Sequence, residues 1–231
     1  MILQFNDAAV QPLWSGLDLA LDGGEIVCVL GPNGVGKSTL LRTILGTQAL
    51  THGSVTVNGR VGYIPQQSMF PQDLPVRSRD LVSLAMEHRV LRRGPRKEDV
   101  DNALDRVGAL AFADQRVGLL SGGQQQLVRH AQALVNNPAL LLADEPLLSL
   151  DIARERDTIT RFRTLADNGA AVLCVTHSIN PFLDAVDRVL YLGPEGHVTG
   201  PVREVMRSDV LSELYGTHVD VVEANGRMVV L

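Results

Sequence analysis

Gly31-Pro32-Asn33-Gly34-Val35-Gly36-Lys37-Ser38 follows a short apolar run, residues 27–30, and leads into a stretch of helical spacing, residues 37–45. The run is entered from Gly23-Gly24 and reads as a buried strand, so the octapeptide is a strand-to-helix turn. It fits the pattern G-x-x-x-x-G-K-[ST]. Its glycines let the backbone fold tightly enough to aim successive N–H groups at phosphate oxygens. The helix that follows points its positive end at the same target. Lys37 then has the reach for the β- and γ-phosphates of a nucleotide, and Ser38 offers a hydroxyl to magnesium. The bare pattern arises by chance in roughly 1% of chains this long, so the flanking strand and helix carry much of the weight.

Outward from this turn the same alternation recurs. Residues 139–143 read as a strand ending at Asp144, and residues 171–176 as another, preceded by a helical stretch at 152–167 and its Gly169 stop. Residues 186–192 are a further strand. Strands alternating with helices predict a parallel sheet wrapped by helices. The first part of the chain differs. Residues 3–5, 17–21 and 54–57 are β segments, and Asn58-Gly59 reads as a hairpin turn into residues 61–64. These predict a small antiparallel sheet beside the main one. Residues 76–117 are charged and helical, a helical insertion whose basic cluster, residues 89–96, reads as a solvated face.

Three more sites carry chemistry. Leu140-Leu141-Leu142-Ala143-Asp144-Glu145 ends an apolar strand in two acids, an expensive place for a carboxylate unless it meets a cation. Asp144 is placed to hold magnesium, and Glu145 to orient and polarise an attacking water. The alternative is a turn at Pro146 with both acids solvated; Lys37 and Ser38 upstream weigh against it. Ser121-Gly122-Gly123-Gln124 opens a helix with Ser121 as N-cap, which makes a second anion site. A single domain rarely needs two sites for one γ-phosphate, so the second serves the nucleotide of another copy. Read alone, it is an unremarkable loop. Gln66 and His177 each follow a strand, and in a parallel sheet both project towards the phosphates.

Composition narrows the partners. Aromatics are 4% of the 231 residues and the formal net charge is -5, so neither base stacking nor a basic phosphate-binding face is expected, and nucleic acid is excluded as a partner. Cys28 and Cys174 sit inside apolar β-branched runs and read as buried strand residues in a reducing compartment. The start of the chain, MILQFNDAAV, lacks the basic region of a signal peptide. No run approaches the roughly 18 apolar residues of a membrane span. A membrane role is therefore expected to come through a partner.

Taken in order, these motifs resemble the nucleotide-binding subunits of ATP-binding-cassette transporters. The phosphate loop is GPNGVGKS, the Q-loop is YIPQ ending at Gln66, and the signature is LSGGQ ending at Gln124. LLLADE then ends at Asp144-Glu145, a D-loop reads Ser149-Leu150-Asp151, and the switch histidine is His177. The resemblance implies an α/β P-loop NTPase fold: a RecA-like mixed or parallel core sheet, a small antiparallel β subdomain and a helical subdomain. It implies one nucleotide-binding domain over residues 1–231, with the helical insertion at about residues 76–135. It implies ATP and Mg2+ as cofactors. Gly31 to Ser38 and Thr39 would hold the phosphates, with Ser38, Gln66 and Asp144 around magnesium. Glu145 would be the general base, and His177 would contact the γ-phosphate. Ser121, Gly122, Gly123 and Gln124 would close on a second copy's nucleotide, and Asp151 would cross between copies. The implied partners are that second copy, integral-membrane permease subunits and, indirectly, an extracytoplasmic substrate-binding protein. The implied location is the cytoplasmic face of the plasma membrane. Two departures stand out. The family usually stacks an aromatic residue on adenine about where Ala8 falls, and Phe5 and Trp14 are the nearest aromatics, so that contact stays open. The D-loop has SLD where SALD is commoner.

Arg116-Val117-Gly118 is similar to the importer pattern before the signature. Asp73-Leu74-Pro75-Val76 and Arg79-Asp80-Leu81-Val82 resemble the zinc and manganese uptake branch, as does the tail from Val210 onward. Siderophore, haem and cobalamin importers carry similar tails and form the alternative. A non-transport cassette ATPase is disfavoured, because neither a coiled-coil insertion nor a paired cassette is present. A cassette that binds ATP without turnover is disfavoured by intact Glu145 and His177. The transported ion itself is not expected to touch this chain.

Overall fold

The computed structural model describes residues 1–66, 69–86, 97–224 and 226–231. The basic cluster at 89–96 lies outside the described residues. The chain opens with strands β1 (Leu3–Val10), β2 (Trp14–Leu21) and β3 (Ile26–Leu30), then helix α1 (Lys37–Ile44). Strands β4 (His52–Val57) and β5 (Val61–Ile64) follow, then helices α2 (Ser78–Ala85), α3 (Lys97–Asp105) and α4 (Gly122–Leu134). Next come β6 (Leu140–Asp144), α5 (Ile152–Asp167), β7 (Ala171–Val175), β8 (Arg188–Gly193) and β9 (Gly196–Gly200). The chain ends with α6 (Val202–Val205), α7 (Ser208–Tyr215), β10 (Val221–Ala224) and β11 (Arg227–Val230).

The main sheet has the order β5-β6-β7-β3-β8-β9. It is parallel from β5 to β8 and closes with β9 antiparallel to β8. Strands β3, β6 and β7 are buried along their whole length, which is why they read as continuous apolar runs rather than alternating ones. Alternate residues still separate the two faces. Val27 and Val29 join Leu40, Leu41, Leu142 and the antiparallel strands in one core. Ile26, Cys28 and Leu30 join Phe162 of α5 and Leu211 of α7 in the other. A third core, with Val82, Val100, Leu104 and Val128, ties α2, α3 and α4 together. Cys28 and Cys174 are free, buried and in register across β3 and β7.

The register matters for function. Val29 and Asp144 both align with Val175, so the loops leaving β3, β6 and β7 emerge together at one edge. That edge is where open α/β sheets place their ligands. The antiparallel sheet, β2-β1-β4, covers α1 from the outside. Among the described residues no helix is long and apolar enough to cross a membrane.

One expected pairing is wrong. Residues 54–57 and 61–64 do not form a hairpin about Asn58-Gly59. Strand β4 pairs with β1, and β5 crosses to the main sheet beside β6. The turn residues are right for a sharp bend, and Gly59 has φ 101°. Pairing was decided elsewhere: the apolar run Leu140–Asp144 takes β5 as its second parallel neighbour, and Gly62 lets α4 and Pro138 pack close against β5. A Cβ at Gly62 would stand 2.3 Å from the Ala133 carbonyl and 2.9 Å from Pro138 Cγ. Gly62→Ala is therefore expected to destabilise the protein by about 1–3 kcal/mol, read as a lower urea midpoint at unchanged slope. A wild-type midpoint would remove the close approach of α4 to β5 as a constraint on the fold.

Candidate nucleotide-binding site

The glycine loop between β3 and α1 is shaped by positive φ angles, 140° at Gly31, 87° at Gly34 and 98° at Gly36. At Gly36 a Cβ would also lie 2.9 Å from the Trp14 indole, so glycine is required there twice over. Gly36 caps α1 without any side-chain hydrogen bond, which leaves the first-turn N–H groups for an anion. Lys37 is buried, and its Nζ donates to the carbonyls of Gly31 at 2.7 Å and Pro32 at 2.9 Å. Burial lowers its pKa, and the carboxylates of Glu145 and Asp144 work against that shift.

Asp144 ends β6 almost fully buried. Burial pushes its carboxyl above the usual range, while a hydrogen bond from Ser38 and the charge of Lys37 pull it down. Glu145 sits at φ 50°, its N–H bonded to the Val175 carbonyl at 2.9 Å. Its carboxyl is also raised, first by burial, with the nearby His177 opposing. His177 Nε2 lies 3.2 Å from Glu145 Oε1, close but without the alignment of a hydrogen bond.

A cavity of about 270 Å³ gathers Asn33, Gly34, Gly36, Lys37, Ser38, Thr39, Gln66, Asp144, Glu145 and His177. These come from four separate stretches of sequence. Gly31 and Pro32 sit behind Lys37 as its acceptors, and Val35 packs on the first core. Ser121, Gly122, Gly123, Gln124 and Asp151 do not line the cavity. Ser121 caps α4 in a reciprocal box: its hydroxyl accepts from Gln124 N–H at 3.3 Å, and Gln124 Oε1 accepts from Ser121 N–H at 2.9 Å. Asp151 caps α5, accepting from Arg154 N–H at 3.0 Å. A Cβ at Gly123 would be 3.0 Å from the Ser149 carbonyl, so these two segments share a second surface.

The nearest aromatics do not reach the site. Phe5 and Trp14 are core residues packed edge to face, centroids 6.3 Å apart. Besides Val175 at the end of β7, the lining residue that sequence reading missed is Leu13. Its only signal was an apolar side chain in the turn before Trp14.

The donor set suits Mg2+. Ser38 and Asp144 already share a hydrogen bond, and among the described residues no group of three His, Cys, Asp or Glu could cage a metal ion. Magnesium is usually held by one carboxylate or two, with substrate phosphates and water completing its shell.

A parallel sheet with a glycine loop, a buried lysine and an acid pair at its carboxyl edge defines a P-loop nucleoside triphosphatase. Residues 14–148 match the ABC transporter family, and the chain belongs to that family as an ATP-hydrolysing cassette. It is 34% identical to the manganese transport system ATP-binding protein of Bacillus subtilis, over 89% of this chain and 87% of that one. It is 36% identical to the zinc transport system ATP-binding protein of Treponema pallidum, over 90% and 82%. It is 33% identical to the hemin import ATP-binding protein of Bradyrhizobium diazoefficiens, over 93% and 87%. A chain of an ABC transporter solved in an inward-facing conformation superposes with a TM-score of 0.82 at 26% identity, covering 99% of this chain and 95% of that chain.

The raised carboxyls give a stability test. An acid whose pKa is higher folded than unfolded makes the folded protein hold more protons, so stability falls as pH rises through that range. Glu145→Gln is therefore expected to raise the nucleotide-free Tm at pH 8. The gain should shrink as pH falls towards the ordinary carboxyl value of about 4.3. A gain independent of pH, or none, would contradict burial as the dominant cause.

Proposed function

We propose that this cassette energises uptake of a divalent metal ion, zinc or manganese, through a separate membrane permease. The observation that carries the ATPase part is the convergence of Lys37, Ser38, Asp144, Glu145 and His177 on one cavity while the signature residues lie off it. The choice of metal rests on the manganese and zinc relatives. On this reading the chain is one nucleotide-binding domain, with a helical subdomain at about residues 76–135. It works at the cytoplasmic face of the membrane, and an extracytoplasmic protein delivers the ion to the permease.

The residues then take the following parts. Lys37 leaves its own loop carbonyls for the β- and γ-phosphates, and the loop from Gly31 to Thr39, Pro32 excepted because it has no N–H, turns its N–H groups to the same oxygens. Ser38, Asp144 and Gln66 would hold magnesium, which when bound neutralises charge on the β- and γ-oxygens. Glu145 takes the proton of a water whose oxygen attacks the γ-phosphorus, as the bond to the bridging oxygen of ADP breaks. A carboxyl raised above its ordinary range is closer to the working pH and so a better base. His177, 3.2 Å from Glu145, would contact the γ-phosphate and hold the two in line. Ser121, Gly122, Gly123 and Gln124 of a second copy complete the site from the other side, with the N–H groups of the two glycines facing the phosphate, and Asp151 meets that copy. Nucleotide binding thus closes two chains and hydrolysis releases them, a switch driven by γ-phosphate contacts.

Turnover, chromatography and uptake test this together. Glu145→Gln is expected to lower kcat by about 10²–10⁴ and to elute as a dimer only with ATP and magnesium. In cells lacking the chain, zinc or manganese accumulation should fall, and wild type but not Glu145→Gln should restore it. Normal metal uptake with lost haem use would replace the cargo and keep the engine. Failure of both forms to bind ATP would overturn the reading.

Leu13 offers the base an aliphatic contact in place of a stacked ring. ATP and GTP are therefore expected to support similar turnover, and Leu13→Tyr to tighten ATP binding by about threefold to tenfold. Strict ATP preference in the wild type would count against Leu13 as the base contact.

A further inference from the structure

Helix α4 turns a polar face inward, with Gln125, Gln126 and His130 all buried. Gln125 is accounted for by Phe70 N–H, which it accepts at 2.9 Å, and by the Leu120 carbonyl, to which it donates at 3.0 Å. Gln126 and His130, one turn apart, converge instead on the carbonyl of Pro146. Gln126 Nε2 donates to it at 3.5 Å, and the His130 ring donates to it as well. Nε2 of His130 is buried with no hydrogen-bond partner, so the donor is Nδ1. Phe162 of α5 closes the far side of the ring, centroids 6.2 Å apart. Burial first, then the Arg161 guanidinium, lower the imidazole pKa to about 3. The ring is therefore neutral near pH 7, and carries its one proton towards Pro146. An apolar side chain would fill the same space; what histidine adds is the donor.

Pro146 directly follows Glu145, which is held at φ 50°. A residue before proline is steered away from such a backbone, and a strained non-glycine residue persists only where its surroundings over-determine it. On one side the turn is held by Glu145 N–H to Val175 O at 2.9 Å and by Leu148 N–H to Glu145 O at 3.2 Å. On the other, the donors of α4 hold the next carbonyl.

We infer that His130 is a positioning residue for Glu145, pinning the left-handed turn that carries the carboxylate to α4 through the Pro146 carbonyl. The consequence rests on the proposed role of Glu145 as base. The same helix begins with Ser121, Gly122, Gly123 and Gln124, so its seating on a second copy's nucleotide is transmitted along the helix to the base.

His130→Leu and His130→Gln test this against wild type, by ATP turnover and by amide hydrogen exchange of the nucleotide-free protein. His130→Leu is expected to lower kcat by on the order of tenfold to 100-fold with KM within about twofold. It should also speed exchange across residues 147–151 by on the order of tenfold while α1 keeps its protection. His130→Gln, which keeps a donor, should recover most of both. Gln126→Leu, which removes the other donor, should show the same pattern more weakly and serves if His130→Leu does not fold. Wild-type exchange across 147–151 in His130→Leu would overturn the inference, as would equal losses in the Leu and Gln variants, the mark of packing alone. Exchange is read without turnover, so it decides this point even if the wild-type chain proves inactive.

Discussion

Two carboxylates and an ammonium group are held at the edge of a sheet whose central strands are otherwise apolar, and the fold is organised around keeping them there. Desolvation is the first cause of every shift at Lys37, Asp144 and Glu145. Mutual attraction offsets only part of it. Such an arrangement survives because β3, β6 and β7 are locked in register with both faces covered. The antiparallel sheet adds a second restraint, since the Trp14 indole backs directly onto Gly36. Stability won in the cores is thus spent on a charged edge that has little use until phosphate arrives.

The second surface follows a different logic. Ser121 and Gln124 satisfy each other's backbone in a capping box, and Asp151 caps the next helix, so both segments are well ordered in a single chain. Their contact at Gly123 and Ser149 makes one rigid surface from the two. Neither lines the cavity that the phosphate loop forms. On the proposed reading such a chain carries two halves of different sites rather than one whole, and the chemistry needs two copies.

How much could be read beforehand depended on whether the signal was local. The glycine loop, the buried strands read at 139–143 and 171–176, and the Ser121 cap each declare themselves within a few residues, and the strands stand within one residue of where the pattern put them. The Asn58-Gly59 turn was also local and also real, but strand pairing is settled by distant partners, and β5 found a better one in β6. The short strands and helices after β8 gave no periodicity long enough to read. Leu13 and His130 were invisible for another reason. An apolar residue in a turn and a histidine on a helix look ordinary until the fold shows what stands opposite them, here a phosphate cavity and the Pro146 carbonyl.

The electrostatics of the cavity also explain why nucleotide and cation belong together. Phosphate gives Lys37 a counter-charge and the α1 terminus an anion, and both gains grow in a site shielded from water. The same negative charge is set beside Asp144 and Glu145, whose carboxyls burial has already raised. Like charges disfavour ionisation further, so nucleotide alone would tend to protonate the acids and disarm the base. On the proposed reading Ser38 and Asp144 would hold a divalent ion that offsets that repulsion, so that Asp144 would stay ionised and Glu145 free to accept a proton. Burial that costs the empty protein stability would then favour, in the loaded site, a nucleotide that brings its own cation.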